Sequence, residues 1–286
     1  MWNPFKPKIE NSDPGQRSLQ LISQKGMPFA YVEAYKSLRT NLNFLSGSGD
    51  VHAFVVTSTV PEEAKSNVSV NLALALTESG KKVVLVDCDL RKPVLHRYLK
   101  AGHNLKGVSN VLSRQVALSD ALVELKDIPN LTFLPAGTTP PNPSELLSQP
   151  QMQEMVNTLR GSYDFVILDA PPISMVTDAA VIGRIVDGAL FVVRSKYAST
   201  DAVKTALEKL QDAGVKVLGA VLTRYDAKKS LKRSDYGYGY YYYNSNYSYG
   251  PPPDGISESA AKKSGLTSKK QHNGKEKHSV HTEDEA

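Results

Sequence analysis

Hydrophobic and polar residues follow two patterns along this chain, one typical of buried strands and one typical of helices. Six short apolar runs are rich in β-branched residues and lack polar alternation, which favours strands covered on both faces. They lie at 53–57, 83–87, 131–134, 165–169, 189–194 and 217–223. Apolar residues recur at helical spacing over 31–45, 65–79, 117–126, 151–160, 177–184 and 200–213.

This alternation predicts an α/β fold, a doubly wound and mainly parallel sheet with helices on both faces. The stretch at 31–45 adds an N-terminal helix before the first strand. In folds of this class ligands bind at the carboxyl ends of the strands. The residues that follow the predicted strands are therefore the first candidates for a functional site.

Segments of different composition flank the predicted domain. Residues 1–27 are polar and are predicted to form a flexible arm, whereas residues 28–228 form one folded domain. Residues 229–286 are predicted to be a disordered tail, because 251–286 hold almost no large apolar groups. Eight tyrosines cluster at 236–249 in this tail, namely Tyr236, Tyr238, Tyr240, Tyr241, Tyr242, Tyr243, Tyr247 and Tyr249.

Composition narrows the class of protein further. The 286 residues are 41% hydrophobic, but no run approaches the roughly 18–20 apolar residues of a membrane helix. Cys88 is the sole cysteine, so no internal disulfide forms, which fits a reducing cytoplasm. The net charge of +5 is too small to argue for nucleic acid as a partner. A cytoplasmic protein is therefore expected.

A candidate phosphate-binding loop follows the first predicted strand. Residues 57–66 read Thr-Ser-Thr-Val-Pro-Glu-Glu-Ala-Lys-Ser and lead into a predicted helix. In such loops backbone N–H groups and the helix N-terminus hold phosphates, the lysine reaches the β- and γ-phosphates, and the hydroxyl holds Mg²⁺. The candidate nucleotide-binding residues are Pro61, Glu62, Glu63, Ala64, Lys65, Ser66 and Asn67.

Three carboxylates at the ends of two other predicted strands support this site. Asp87 and Asp89 close the second strand, and Asp169 closes the strand at 165–169. A single aspartate at a strand end is more often a helix cap. Three near a Lys-Ser loop favour a Mg²⁺ shell, because this ion takes one or two carboxylates together with water and phosphate oxygens. With Ser66 they form the predicted metal site.

Several motifs together give the chain a family resemblance. They lie at 33–41 (EAYKSLRTN), 87–93 (DCDLRKP), 134–147 (LPAGTTPPNPSELL), 168–172 (LDAPP) and 177–179 (TDA), and are followed by the tyrosine cluster. From about Glu33 to Tyr249 the chain resembles the bacterial tyrosine kinases of capsule and exopolysaccharide systems. These are P-loop NTPases related to the division-site and chromosome-partitioning ATPases.

The resemblance implies roles for individual residues. ATP and Mg²⁺ are the expected cofactors, and Lys65, Asp87 and Asp89 are the expected catalytic residues. Asp87 would accept the proton of a tyrosine, Asp89 would hold Mg²⁺ through water, and Asp169 matches the family's other acidic Mg²⁺ motif. The eight tail tyrosines would be the phosphoacceptors, modified in trans by a neighbouring subunit.

The resemblance also implies partners and a location. Glu33, Lys36 and Arg39 match a motif that joins subunits into a ring, with Lys36 where the family has arginine. A membrane polysaccharide co-polymerase would activate the kinase and recruit it to the inner face of the cell membrane. A tyrosine phosphatase would oppose it, and the cycle would regulate polymer synthesis and export.

The loop departs from the family's Pro-Gly-x-Gly-Lys-Ser/Thr pattern, since Glu62 and Ala64 replace both glycines. Glycine serves such loops because it tolerates positive φ and lets backbone N–H groups approach phosphate. A second interpretation is therefore a scaffold of the same export machinery without phosphoryl transfer. A third is a partitioning-type ATPase, although the tail lacks the terminal amphipathic helix or basic face typical of that class.

Overall fold

The structure, a computed structural model, describes residues 20–47, 51–102 and 104–225. Within these ranges the chain forms seven strands and nine helices. In chain order they are α1 (Phe29–Gly47), β1 (Ala53–Ser58), α2 (Lys65–Thr77), β2 (Val83–Asp87), α3 (Leu95–Tyr98), α4 (Val108–Leu112), α5 (Leu118–Ala121), β3 (Val123–Glu124), β4 (Leu131–Leu134), α6 (Pro143–Leu147), α7 (Pro150–Arg160), β5 (Phe165–Asp169), α8 (Asp178–Gly183), β6 (Ala189–Arg194), α9 (Thr200–Asp212) and β7 (Val217–Thr223).

The strands form one sheet in the order β3-β4-β2-β5-β1-β6-β7. All pairings are parallel except that of β3 with β4. One face packs against α1, α2 and α3, and the other packs against the helices from α4 to α9. The predicted α/β fold with a mainly parallel, doubly covered sheet is confirmed.

Helix α2 lies at the centre of the first face. Almost every residue from Ser66 to Thr77 is buried, because the sheet covers one side of the helix and α1 covers the other. A helix that is apolar on all sides is stable only when buried in this way. The burial holds the first turn of α2 rigidly against the carboxyl ends of the strands.

The predicted helix at 117–126 is wrong in its second half. Helix α5 ends at Ala121, Leu122 is extended, and Val123 pairs with Phe133 across the antiparallel β3–β4 ladder. Without β3, β4 would present unpaired backbone groups at the edge of the sheet. This tertiary pairing overrides a weak helical pattern.

Residues 20–28 precede α1 and pack on α2. The Ile22 side chain is buried, and its backbone N–H donates to Asn71 Oδ1 at 2.8 Å. The tyrosine cluster at 236–249 lies outside the described residues.

No helix in the described part of the chain is both long enough and apolar enough to cross a bilayer.

Candidate functional site

The sheet brings the predicted acidic residues together. Asp87 and Asp169 are direct neighbours at the ends of β2 and β5, and β1 lies on the other side of β5. The loop after β1 rises past these ends and turns into α2 at Lys65. Lys65 and Ser66 therefore lie beside the two carboxylates, as the positions of the strand ends predict.

Lys65 is the central cation of this cluster. Its Nζ lies 3.1 Å from Asp169 Oδ2, 3.2 Å from Asp89 Oδ2 and 3.3 Å from Ser66 Oγ. Burial alone would lower the pKa of Lys65, but the carboxylates of Asp169, Asp89 and Asp87 outweigh this effect and raise it. Lys65 therefore stays protonated and holds the strand ends and the loop together.

Asp169 is the most heavily bonded carboxylate of the site. The Ser66 hydroxyl donates to Oδ2 at 2.6 Å, and the Ser69 hydroxyl donates to Oδ1 at 2.9 Å. Ser69 was missed by the sequence analysis, although it lies one helical turn beyond Ser66 on the same face of α2. The pair Ser66 and Asp169 has the oxygen ligands and the proximity that Mg²⁺ binding requires.

The turn after β2 is folded around its own aspartates. Asp87 accepts the backbone N–H groups of Asp89 and Leu95, both at 3.2 Å, and Asp89 accepts that of Lys92 at 3.0 Å. Burial, followed by the neighbouring charge of Asp169, raises the pKa of Asp87 to about 8, and Lys65 opposes this shift only in part. With this pKa the Asp87 carboxyl group is largely protonated at neutral pH in the metal-free site, and the positive charge of a bound Mg²⁺ would favour the carboxylate form that can accept a proton.

This raised pKa predicts how Asp87→Asn changes stability with pH in metal-free and nucleotide-free protein. From about pH 4 to about pH 8, folded Asp87 holds a proton that the unfolded chain has released, so the stabilisation by this proton falls as pH rises. Asparagine cannot ionise. We therefore expect the melting temperature of wild type to fall relative to that of the variant as pH rises. The difference, variant minus wild type, should increase by roughly 5 °C between pH 6 and pH 9. Thermal scans in EDTA test this, and a pH-independent difference would contradict it.

The loop adopts a conformation that glycine normally provides. Glu62 has φ 69° and Ala64 has φ 73°, so both of the positions that lack glycine are left-handed. Each such residue costs about 1–2 kcal/mol. The first helical hydrogen bond of α2 runs from the Val68 N–H to Ala64 O, at 2.9 Å. The backbone N–H groups that precede Val68 in α2 make no bond of this kind, so they face the loop. This arrangement suits an anion such as phosphate.

Asn67 and the predicted ring residues are engaged within the chain. Asn67 Oδ1 accepts the hydroxyls of Tyr31 and Tyr35, both at 3.0 Å, so its side chain faces α1. The Lys36 ammonium lies 2.7 Å from Glu33, and Arg39 donates to Ala75 O at 2.8 Å. The side chains of Glu33 and Lys36 remain 34% and 41% exposed, so the pair is accessible to another subunit.

A second charged cluster joins three of the motifs that carry the family resemblance. Arg91 Nε lies 3.2 Å from Asp178 Oδ2, and Arg91 Nη2 donates to Ser144 Oγ at 2.8 Å. The Ser144 hydroxyl donates to the other oxygen of Asp178, which is fully buried at the start of α8. These bonds fix the segment after Asp89 against α6 and α8. No role for these residues was predicted from the sequence.

Among the described residues, no three His, Cys, Asp or Glu side chains are arranged as a metal-binding group. At the phosphate loop, Asp169 and Asp89 both contact Lys65. A divalent ion at this site would depend on Ser66, one or two carboxylates and further oxygen ligands from water or phosphate.

The sheet order, the loop and the strand-end carboxylates define a P-loop NTPase fold. Residues 63–217 match the family described as the AAA domain. The tyrosine-protein kinase YwqD of Bacillus subtilis (strain 168) is 37% identical over 205 residues, covering 72% of this chain and 84% of that protein. The chain belongs to the bacterial tyrosine-protein kinases.

Solved structures agree with this fold. The crystal structure of the chimerical protein CapA2B2 is 35% identical with a TM-score of 0.67, covering 73% of this chain and 90% of that one. The septum site-determining protein MinD from Pyrococcus horikoshii, complexed with Mg-ADP, is 26% identical with a TM-score of 0.53 and covers 61% of this chain and 71% of that one.

Proposed function

We propose that this chain is an ATP-dependent protein-tyrosine autokinase that phosphorylates the tyrosine cluster 236–249 of a second copy. One observation carries the proposal. Lys65 and Ser66 meet Asp169 and Asp89 at the first turn of α2, beneath a loop whose residues 62 and 64 are left-handed. The MinD structure, solved with Mg-ADP, provides the nucleotide class for a fold of this kind.

The residues of the site would divide the work as follows. The N-terminal amides of α2 and Lys65 would bind the β- and γ-phosphates, with Lys65 exchanging its carboxylate partners for phosphate oxygens. Ser66 and Asp169 would hold Mg²⁺ directly, and Asp89 would hold it through water. The ion would neutralise charge on the phosphates as the transferred group moves.

Asp87 would act as the proton acceptor. The hydroxyl oxygen of a tail tyrosine forms the new bond to the γ-phosphorus, the bond between this phosphorus and the oxygen that bridges it to the β-phosphate breaks, and ADP leaves. The tyrosine proton passes to Asp87. Asp87 lies beside Asp169, at the end of the neighbouring strand, and this proximity to the proposed metal ligand supports its role as the acceptor.

The family supports a wider role for this chain. Phosphorylation of the tail would regulate capsule or exopolysaccharide polymerisation and export. A membrane co-polymerase would recruit the chain to the inner face of the membrane and activate it, and a tyrosine phosphatase would reverse the reaction. Each phosphotyrosine adds about −1.5 to −2 charges, so a modified cluster would repel itself and loosen the assembly.

The direct test is to incubate the full chain with Mg-ATP and the cytoplasmic segment of its membrane partner, and then measure the intact mass. Several additions of phosphate within 236–249 are expected. A mass that stays unchanged, in protein that binds neither ATP nor ADP, would instead support the scaffold function. The left-handed backbone of Glu62 and Ala64, which lack the freedom of glycine, supports this second function.

Self-association through α1 is also a proposal. The unphosphorylated protein should form a ring through Glu33, Lys36 and Arg39, and Arg39→Glu should give monomers by light scattering. Arg39 also donates to Ala75 O, so thermal unfolding must show that the variant folds. Lys204→Glu, a charge reversal on the exposed side of α9, should leave the mass unchanged. The same mass for folded Arg39→Glu and wild type would exclude this interface.

A further inference from the structure

Glu63, the residue between the two left-handed positions of the loop, is turned into the protein. Only 1% of it is exposed. Its Oε2 accepts the backbone N–H of Val60 at 2.9 Å, and its Oε1 accepts that of Arg194 at 3.2 Å. Its own carbonyl oxygen accepts the Thr223 hydroxyl at 2.9 Å. The loop is thereby bonded to the carboxyl ends of both β6 and β7.

A buried carboxylate next to a phosphate-binding loop needs a physical reason. Burial of a charge is unfavourable unless hydrogen bonds satisfy it, and a negative charge near a polyanion is repulsive. In the described part of the chain, no lysine or arginine forms a salt bridge with Glu63. Its charge is met by backbone N–H groups, which form strong charge-assisted bonds. These bonds also hold the loop at fixed points.

Those fixed points surround the strained residues. Left-handed conformations of residues other than glycine persist only where the surrounding structure over-determines them. Val60 and Arg194 are bound on either side of the Glu63 carboxylate, and Arg194 Nη1 also donates to Glu62 O at 3.3 Å. The guanidinium of Arg194 lies 4.3 Å from the centre of the Tyr197 ring, which restrains it. Residues at the ends of β6 and β7 therefore restrain the loop through these hydrogen bonds.

We propose that Glu63 is a positioning residue that holds the glycine-free loop in its phosphate-binding conformation. We call Glu63, Arg194 and Thr223 the loop clamp. The contacts of the clamp hold residues 62 and 64 in the left-handed conformation, which glycines at these positions would adopt without such contacts. This inference rests on the proposed nucleotide binding, and it makes one specific claim: the loop needs the clamp because it lacks the glycines.

The claim is tested by coupling two sets of substitutions. Glu63→Gln keeps the shape of the side chain, but an amide offers only one acceptor and places N–H groups against one of the backbone donors. The variant is made in the native loop and in a loop carrying Glu62→Gly with Ala64→Gly. Glu154→Gln, on the exposed side of α7, is the matched control for loss of one negative charge. Titration calorimetry then measures the Kd of Mg-ATP for every protein.

In the native loop Glu63→Gln should weaken Mg-ATP binding by about tenfold or more, because the left-handed residues relax once the clamp is lost. In the glycine loop the same change should cost no more than about threefold, because glycine keeps the conformation without help. The control should change neither value. Equal losses in both loops would overturn the proposal and leave Glu63 as ordinary support for the fold.

Hydrogen exchange of the Val68 amide, measured without nucleotide, tests the loop clamp independently of the proposed kinase function. That amide is bonded to Ala64 O, so its protection reports the conformation of residue 64. Glu63→Gln should speed its exchange markedly in the native loop and little in the glycine loop. If none of these proteins binds Mg-ATP, the proposed function fails, but the exchange of the Val68 amide still tests the clamp. A larger acceleration by Glu63→Gln in the native loop than in the glycine loop would support the clamp. Equal acceleration in the two loops would overturn it.

A milder variant covers the case in which Glu63→Gln does not fold. Thr223→Val keeps the shape of the side chain and removes the hydroxyl that donates to Glu63 O. It should produce the same pattern at smaller amplitude, with a larger loss of affinity and of Val68 protection in the native loop than in the glycine loop. Equal effects in the two loops would again overturn the proposal.

Discussion

Asp169→Asn is expected to reduce autophosphorylation by at least about a hundredfold, similar to the loss when one hydrogen-bond donor that stabilises a transition state is removed. The asparagine keeps the shape of the side chain but has one acceptor oxygen, whereas Asp169 accepts from Ser66, Ser69 and Lys65. The proposed metal site loses its directly bound carboxylate. Asp87→Asn should have a comparable effect for a different reason, because it removes the proposed proton acceptor. Intact mass after incubation with Mg-ATP measures both losses.

Asp212→Asn is the control for these two variants. Asp212 ends α9 and is exposed, so its replacement changes the net charge by the same amount without touching the site. Thermal unfolding should show that all three variants fold. Wild-type levels of tail phosphate in both site variants would remove Asp87 and Asp169 from the mechanism.

Restoring both glycines, by Glu62→Gly with Ala64→Gly, should tighten the binding of Mg-ATP by at least about tenfold, or roughly 1.4 kcal/mol. Glycine removes the cost of the left-handed backbone, about 1–2 kcal/mol at each position. It also removes the charge of Glu62 near the phosphates. The added freedom of the glycines offsets part of this gain, and the two effects act on one ligand, so they are not expected to add. Titration calorimetry measures the affinity, and autophosphorylation should rise with it.

Arg114→Gly is the matched control for the double substitution. Arg114 is also left-handed, with φ 57°, but it lies in the exposed turn after α4. Glycine there should leave the affinity for Mg-ATP unchanged. Equal affinity of the wild type and the double variant would show that the loop tolerates Glu62 and Ala64. No binding in either protein would favour the scaffold function.

The strands were predictable because of how a buried parallel sheet is composed. Val83–Asp87 and Phe165–Asp169 coincide with their predicted runs, since strands covered on both faces are apolar at nearly every position. Strand β3 was not predictable, because two residues carry no pattern of their own. Its pairing depends on the free edge of β4.

Part of the candidate site was predictable for a related reason. The ends of parallel strands meet at one edge of a sheet, so the positions of Asp87 and Asp169 in the sequence predicted that they would be close to Lys65. Ser69 shows the limit of this reasoning. Its spacing from Ser66 fits one face of α2, but a serine in a helix gives no indication of its partner until Asp169 is in place.

By itself, the sequence determined the class of fold, the resemblance to the bacterial tyrosine kinases and part of the set of residues that gather at the phosphate loop. Only the tertiary structure decided how these residues are used. It placed Lys65 between Asp169 and Asp89, and it left Asp87 bonded to backbone N–H groups with a raised pKa. It also turned Glu63 inward, towards Arg194 and Thr223, which follow it by 131 and 160 residues. Local sequence cannot specify such contacts, because the loop and the ends of β6 and β7 that bond to it lie far apart along the chain.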